Sequence, residues 1–191
     1  MATGKPDWVV LGTFILSLAG CHSVKTPPVD KPAMWESPPA TVTEKIEQIL
    51  PLVLEWYTRT ERQLLPLGRS LTQTERQRAR ELGVRAPQEV RVVVLQQFPM
   101  PDNEYIRREA IKHGIGSPDE GGRTHGYAIM LKPEYQDDSL ILYHELVHVA
   151  QQDRMGREAF LRQYLTELET LGYARSPLEL EAYARQGRID R

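Results

Sequence analysis

Residues 140–150 read LILYHELVHVA. Apolar side chains flank two imidazoles and a carboxylate: His144, Glu145 and His148. On a helix, positions four apart share a face, so His144 and His148 aim at one point. Neutral imidazole suits zinc, and two imidazoles from one helical turn hold an ion with little left to order. Glu145 is offset by one residue from His144. It is poorly aimed at the same ion but can reach a water bound to it, as a general base beside a Lewis acid does. The bland alternative is a set of structural side chains. Against it stands the apolar setting, where unpaired imidazoles and a carboxylate are costly without a metal or hydrogen-bonding partners.

A catalytic zinc site usually takes three protein ligands and leaves one position open. Downstream, SPLELEAYA at 176–184 offers Glu179 and Glu181. Ser176 and Glu179 also have the spacing of a capping box. Glu179 would then fold back onto the helix start and Glu181 would be the ligand.

The HExxH pattern is shared by zinc proteases. Together with PLELEAY it resembles the glutamate-zincins, a broad group that includes thermolysin and the membrane prenyl-protein endopeptidases. In the latter the third ligand opens a helical E-x-x-A-D segment, often after proline and an apolar residue. The resemblance implies a zincin-like fold and one zinc ion per chain, held by His144, His148 and Glu179, with Glu181 as the alternative. It also implies hydrolysis of a peptide or protein substrate by a zinc-activated water, with Glu145 as general base. Ala182 matches the family alanine, but the aspartate after it is Tyr183 here. That acid orients a zinc histidine, so Tyr183 or a backbone carbonyl must take over. Zincins also stabilise the oxyanion with a His or Tyr, for which His125, Tyr127 and Tyr183 are candidates. HELVHVAQQ, FLRQYL, GY and PLELEA together are similar to a family of small bacterial HExxH proteins over about 85–184, a likeness that brings no substrate with it. The rival readings are a non-catalytic zincin-fold envelope scaffold or binding lipoprotein, and a metal-holding lipoprotein. Glu145 favours catalysis, because a purely structural site has no use for a carboxylate that is not a ligand.

These residues need elements to position them, and the pattern predicts an α+β domain over 41–191 with a small sheet and helices before and after it. Thr41 and Glu44 have capping-box spacing ahead of a helical run, Ile46, Ile49, Leu50, Val53, Leu54 and Tyr57, which Pro51 should kink or restart. Thr72 and Glu75 predict a second helix over about 73–82, stopped by Gly83. EVRVVVLQ at 89–96 reads as a strand. Asp102 looks like the cap of a helix ending near Gly114, with His113 as a C-terminal residue. Residues 115–124, IGSPDEGGRT, read as loop, and HGYAIMLK at 125–132 as a second strand able to pair with an extended substrate. His125 alone reads as a turn or strand-start residue. The HExxH helix is predicted over 139–155 and another over 158–171. The last helix has Ser176 as cap, Pro177 at its first position, and an end near Gln186.

The N-terminus reads MATGKPDWVVLGTFILSLAGCHS. A polar start with Lys5, an apolar run from Trp8 to about Ala19 and small residues before Cys21 are the layout of a signal peptide over 1–20. The apolar run is too short to span a bilayer comfortably. LAGC also resembles the lipobox of bacterial lipoproteins, though Asp7 is a small departure. That resemblance implies cleavage before Cys21, lipidation of its sulfur and attachment to the cell envelope. His22, in place of an aspartate, points to the outer membrane, facing the periplasm. The proline-bearing segment up to residue 40 reads as a tether. Cys21 is the sole cysteine, so no intrachain disulfide forms. Basic clusters are interleaved with acids in a nearly neutral chain, which gives no nucleic-acid footprint.

Overall fold

A computed structural model describes residues 34–187. The expected signal peptide, Cys21 and most of the tether lie outside the described residues. Among these, no helix is long and apolar enough to cross a membrane.

The domain is α+β and mostly helical. Its helices are α1 (Ala40–Leu64), α2 (Gln73–Glu81), α3 (Glu104–Lys112), α4 (Ser139–Met155), α5 (Arg157–Thr170) and α6 (Pro177–Gln186). Its strands are β1 (Arg69–Ser70), β2 (Arg91–Val94), β3 (Gly122–His125) and β4 (Ala128–Leu131), in the order β1-β2-β4-β3. β2 and β4 run parallel, and the two outer pairs are antiparallel. A parallel pair needs a long crossover, supplied here by α3 and its flanking loops.

β4 is buried along its whole length, with Ala128, Ile129, Met130 and Leu131 all at 0% exposure. Alternation puts Ile129 and Leu131 in the core with Leu142, Leu146 and Val149 of α4. Ala128 and Met130 instead meet Leu64, Val93 and Phe98. A second core joins α1 to α5 through Ile49, Val53, Trp56, Phe160 and Leu161, and Leu178 of α6 packs there too. α4 is the central helix: every residue from His144 to Gln152 is buried. On a helix buried on all sides, a polar group without a partner is costly.

The turn between β3 and β4 is held by α1. Tyr57 Oη accepts from Gly126 N at 3.0 Å, and Glu61 Oε1 accepts from Tyr127 N at 2.8 Å. Gly126 has φ +61°, and a Cβ there would lie 1.8 Å from Glu61 Oε1, so the site admits only glycine.

Several local expectations need correction. α1 does not restart at Pro51 but continues through it. Its N-cap is Pro39 without a side-chain cap bond, so Thr41 and Glu44 form no capping box. Asn103, not Asp102, caps α3 by accepting from Ile106 N at 3.1 Å. Asp102 instead pairs with Arg59 at 2.6 Å. The last residues of the expected loop 115–124 belong to β3, whose glycines and charges hid it. The expected strand 125–132 is only β4, and it is internal, so it cannot take a substrate by edge addition. By contrast, Thr72 and Glu75 form the full reciprocal box expected at α2, and α4 and α6 match their expected spans.

Away from the HExxH helix, the Glu169 carboxylate ties α1, α3 and α5 together. It accepts from Lys45 at 2.8 Å, Lys112 at 3.0 Å and His113 at 3.0 Å. Burial alone would raise its pKa, but these bonds outweigh burial and lower it from 4.5 to about 2. A depressed carboxylate adds stability that is complete above the unfolded value and lost as pH falls through the folded one. Glu169→Gln should therefore cost about 1–2 kcal/mol at pH 7. The difference from the native chain should shrink between pH 4.5 and 2, read by urea unfolding at a series of pH values.

Candidate metal centre

α4 begins at Asp138, whose carboxylate accepts from Leu140 N and Ile141 N. The helical register then puts His144 and His148 on one face, toward α6. α6 begins at Ser176, whose hydroxyl accepts from Glu179 N at 3.3 Å. Only half of a capping box forms, because the Glu179 side chain turns to the histidines. The buried Glu167 holds this helix start by accepting from Ser176 Oγ at 2.5 Å and Leu178 N at 3.1 Å.

The result is a buried group of three donors. His144 Nε2 lies 3.1 Å from His148 Nε2 and 3.1 Å from Glu179 Oε2. His148 Nε2 lies 3.5 Å from Glu179 Oε1. Tetrahedral zinc with bonds of about 2.0–2.1 Å separates its ligands by roughly 3.3–3.4 Å, so these spacings fit one ion.

Hydrogen bonding on the far side of each ring sharpens the point. His148 Nδ1 meets Gln151 Oε1 at 2.8 Å. Gln151 Nε2 is committed to Leu178 O at 2.9 Å and Glu181 Oε2 at 3.1 Å, so its oxygen faces the imidazole and accepts the Nδ1 proton. His144 Nδ1 lies 2.9 Å from Gln186 Oε1, an oxygen that accepts its proton. Both Nε2 lone pairs are thereby turned toward each other and toward a carboxylate. Three converging acceptors repel unless a cation sits among them. A proton serves in the bare protein. Burial alone would lower the His148 pKa, but Glu179 outweighs it and raises it to about 9. Burial would likewise raise Glu179, yet the bonds from His144 and His148 hold it well below the usual carboxylate range. Tyr164 Oη also donates to Glu179 Oε1 at 2.8 Å.

Glu181 is not part of this group. It is paired with Arg154 at 3.0 and 2.9 Å and with Arg185 at 3.0 Å, and Arg154 above all keeps its pKa down at about 2. Tyr183 sets its ring against His144, with centroids 4.6 Å apart, and its hydroxyl meets Tyr173 Oη at 3.2 Å. Gln186 therefore orients His144 in the role expected of Tyr183 or a backbone carbonyl. Tyr127 is elsewhere: its hydroxyl donates to Asp153 at 2.6 Å, away from the three donors. His125 ends β3, stacks on Tyr57 and meets the edge of Trp56. Burial above all lowers its pKa well below the usual value, so the ring is neutral. His113 is committed to Glu169.

Gln151, Gln186, Tyr164 and Thr124 were not anticipated. Two of them carried a signal: Gln151 is three residues after His148, and Gln186 is seven after Glu179, so both lie on the ligand faces of their helices. A second group, Glu109, His113 and Glu169, also has metal-ligating atoms close together. Lys45 Nζ already sits there, 2.6 Å from Glu109 and 2.8 Å from Glu169, and supplies the positive charge.

Glu145 lies beside the three donors on the wall of a cavity of about 630 Å³. Burial raises its pKa, partly offset by the neighbouring histidines and by Thr124. One end of the cavity is apolar, walled by Val53, Trp56, Phe160, Leu161 and Leu165. Gly121–His125 forms another wall. Comparison of the chain with protein-family models, with curated proteins and with solved structures gives no match.

Zinc, used as the probe ion at pH 7, must displace the proton held between His148 and Glu179. Calorimetry in buffers of different ionisation enthalpy should report release of about one proton per ion. Gln186→Ala should weaken binding by about 10–100-fold through loss of ring orientation, and Glu179→Ala should weaken it further. Glu181→Ala should have the smallest effect of the three, because that carboxylate faces Arg154.

Proposed function

We propose that the chain is a zinc-dependent peptidase of the zincin type, exported and tethered to the cell envelope. The observation that carries this reading is a buried carboxylate, Glu145, which is not a ligand but stands beside a three-donor metal group. His144, His148 and Glu179 would hold one zinc ion. When bound, zinc would supply a Lewis acid that makes water acidic and polarises a carbonyl.

The chain's own residues account for the rest. Glu145, with its affinity for protons raised by burial, takes the proton of the attacking water and passes it to the leaving amine. β3 is the outer strand beside the cavity. Lys132 N donates to Gly121 O, so Gly121, Arg123 and His125 face β4. The backbone groups of Gly122 and Thr124 therefore face away from β4. An extended peptide paired there would run along the wall that carries Glu145. The apolar end of the cavity would accept an apolar side chain. Tyr183 and His125, both on the cavity wall, are the remaining candidates for oxyanion stabilisation. The lipobox-like LAGC supports attachment through a lipid on Cys21, with the domain facing the periplasm from the outer membrane.

Purified protein loaded with zinc should cleave members of a mixed peptide library. Glu145→Gln should keep its zinc and lose about 10²–10⁴-fold in kcat, read by mass spectrometry of the products. Native protein that holds zinc and cleaves nothing would return the chain to the scaffold reading.

A further inference from the structure

Glu145 is positioned from outside its own helix, by β3. Thr124 Oγ1 lies 2.7 Å from Glu145 Oε2 and 3.2 Å from Glu145 O. A hydroxyl has one proton to give, and the carboxylate is the nearer and stronger acceptor. The contact is buried on both sides: Thr124 is 8% and Glu145 5% exposed. The other carboxylate oxygen is constrained by a missing side chain. A Cβ built on Gly122 would lie 2.7 Å from Glu145 Oε1, 3.1 Å from Glu145 Cγ and 2.9 Å from Ile141 Cγ2. Gly122 thus leaves the space that the carboxylate fills, while Thr124, two residues on and on the same side of the strand, grips its far oxygen.

We infer that Thr124 and Gly122 are positioning residues that hold the Glu145 carboxylate in one orientation, Thr124 by donating to Oε2 and Gly122 by making room for Oε1. This rests on the peptidase reading for its consequence, and on the strand-to-helix contact alone for its geometry. A free glutamate in the cavity wall would sample several rotamers, and proton transfer demands a fixed one. Without the hydroxyl, Oε2 would have a valine methyl as its neighbour in a buried site and would turn away. Both residues belong to the open strand along which an extended peptide would lie. The element that would receive substrate therefore also sets the base, and neither residue is a metal ligand.

Two substitutions at 124 separate this role from packing. Thr124→Val keeps the branched shape and removes the hydroxyl; Thr124→Ser keeps the hydroxyl and removes a methyl. Both should retain zinc. Thr124→Val should lower kcat by about 10–100-fold with KM within about threefold of native, and Thr124→Ser should recover kcat to within about fivefold. Gly122→Ala should also retain zinc and lose kcat, since its methyl group takes the Oε1 position. Crystal structures supply a readout that needs no turnover: Glu145 should leave its native position in Thr124→Val and Gly122→Ala and keep it in Thr124→Ser. Glu145 unmoved in Thr124→Val, or a serine variant as impaired as the valine one, would overturn the inference. If native protein cleaves no peptide, the peptidase reading fails, and the three structures still decide whether the strand holds the carboxylate.

Discussion

Three buried acceptors point at one another, and the architecture around them exists to keep them there. The Nε2 atoms of His144 and His148 and the Glu179 carboxylate meet at 3.1–3.5 Å inside the protein. In such a medium like-signed lone pairs repel more strongly than in water, and an unpaired charge costs several kcal/mol. A cation among them, a proton or a metal ion, relieves the conflict. Each Nδ1 faces a glutamine amide oxygen, so a neutral ring turns its Nε2 lone pair inward and the conflict is relieved only by an added cation, which in the bare protein is a proton on His148. Such a group could hold a metal ion with little further ordering of its side chains.

The fold can be understood from that constraint. α4 must be buried on all sides to keep its histidines dry, so it is wrapped by the sheet on one side and by α5 and α6 on others. α6 must arrive with its first turn at the histidines. Glu167, at 0% exposure, fixes that turn by binding both Ser176 and the Leu178 N–H. α1 contributes at a distance. Tyr57 and Glu61 hold the β3–β4 turn, which sets β3 along the cavity and brings Thr124 to Glu145.

The parts legible in the sequence were those with local causes. Helices α2, α4 and α6 were bounded by their caps, because Thr72, Gly156 and Ser176–Pro177 act on neighbouring residues. The pairing of His144 with His148 followed from helical periodicity alone. The choice between Glu179 and Glu181 was open in the sequence. It depends on Arg154 and Arg185, which draw Glu181 aside, and Arg154 comes from another helix. β3 was illegible because Gly122 and Arg123 lack strand character; pairing with β4 makes it a strand. Pro51 was expected to kink or restart α1; the helix does not restart there, because the buried face from Ile46 to Leu64 outweighs one lost backbone bond. Asn103 displaced Asp102 as a cap because Asp102 found Arg59, a partner far away in the chain.

The central claim is that a single divalent ion occupies the space among His144, His148 and Glu179. Diffraction from crystals of the full chain, purified without chelators and measured on either side of the zinc absorption edge, tests it most directly. The account predicts one anomalous peak per chain within bonding distance of both Nε2 atoms and the Glu179 carboxylate, with none at Glu109, His113 and Glu169. Crystals with no peak at the three donors after zinc soaking, or with the metal held at the second cluster instead, would contradict it.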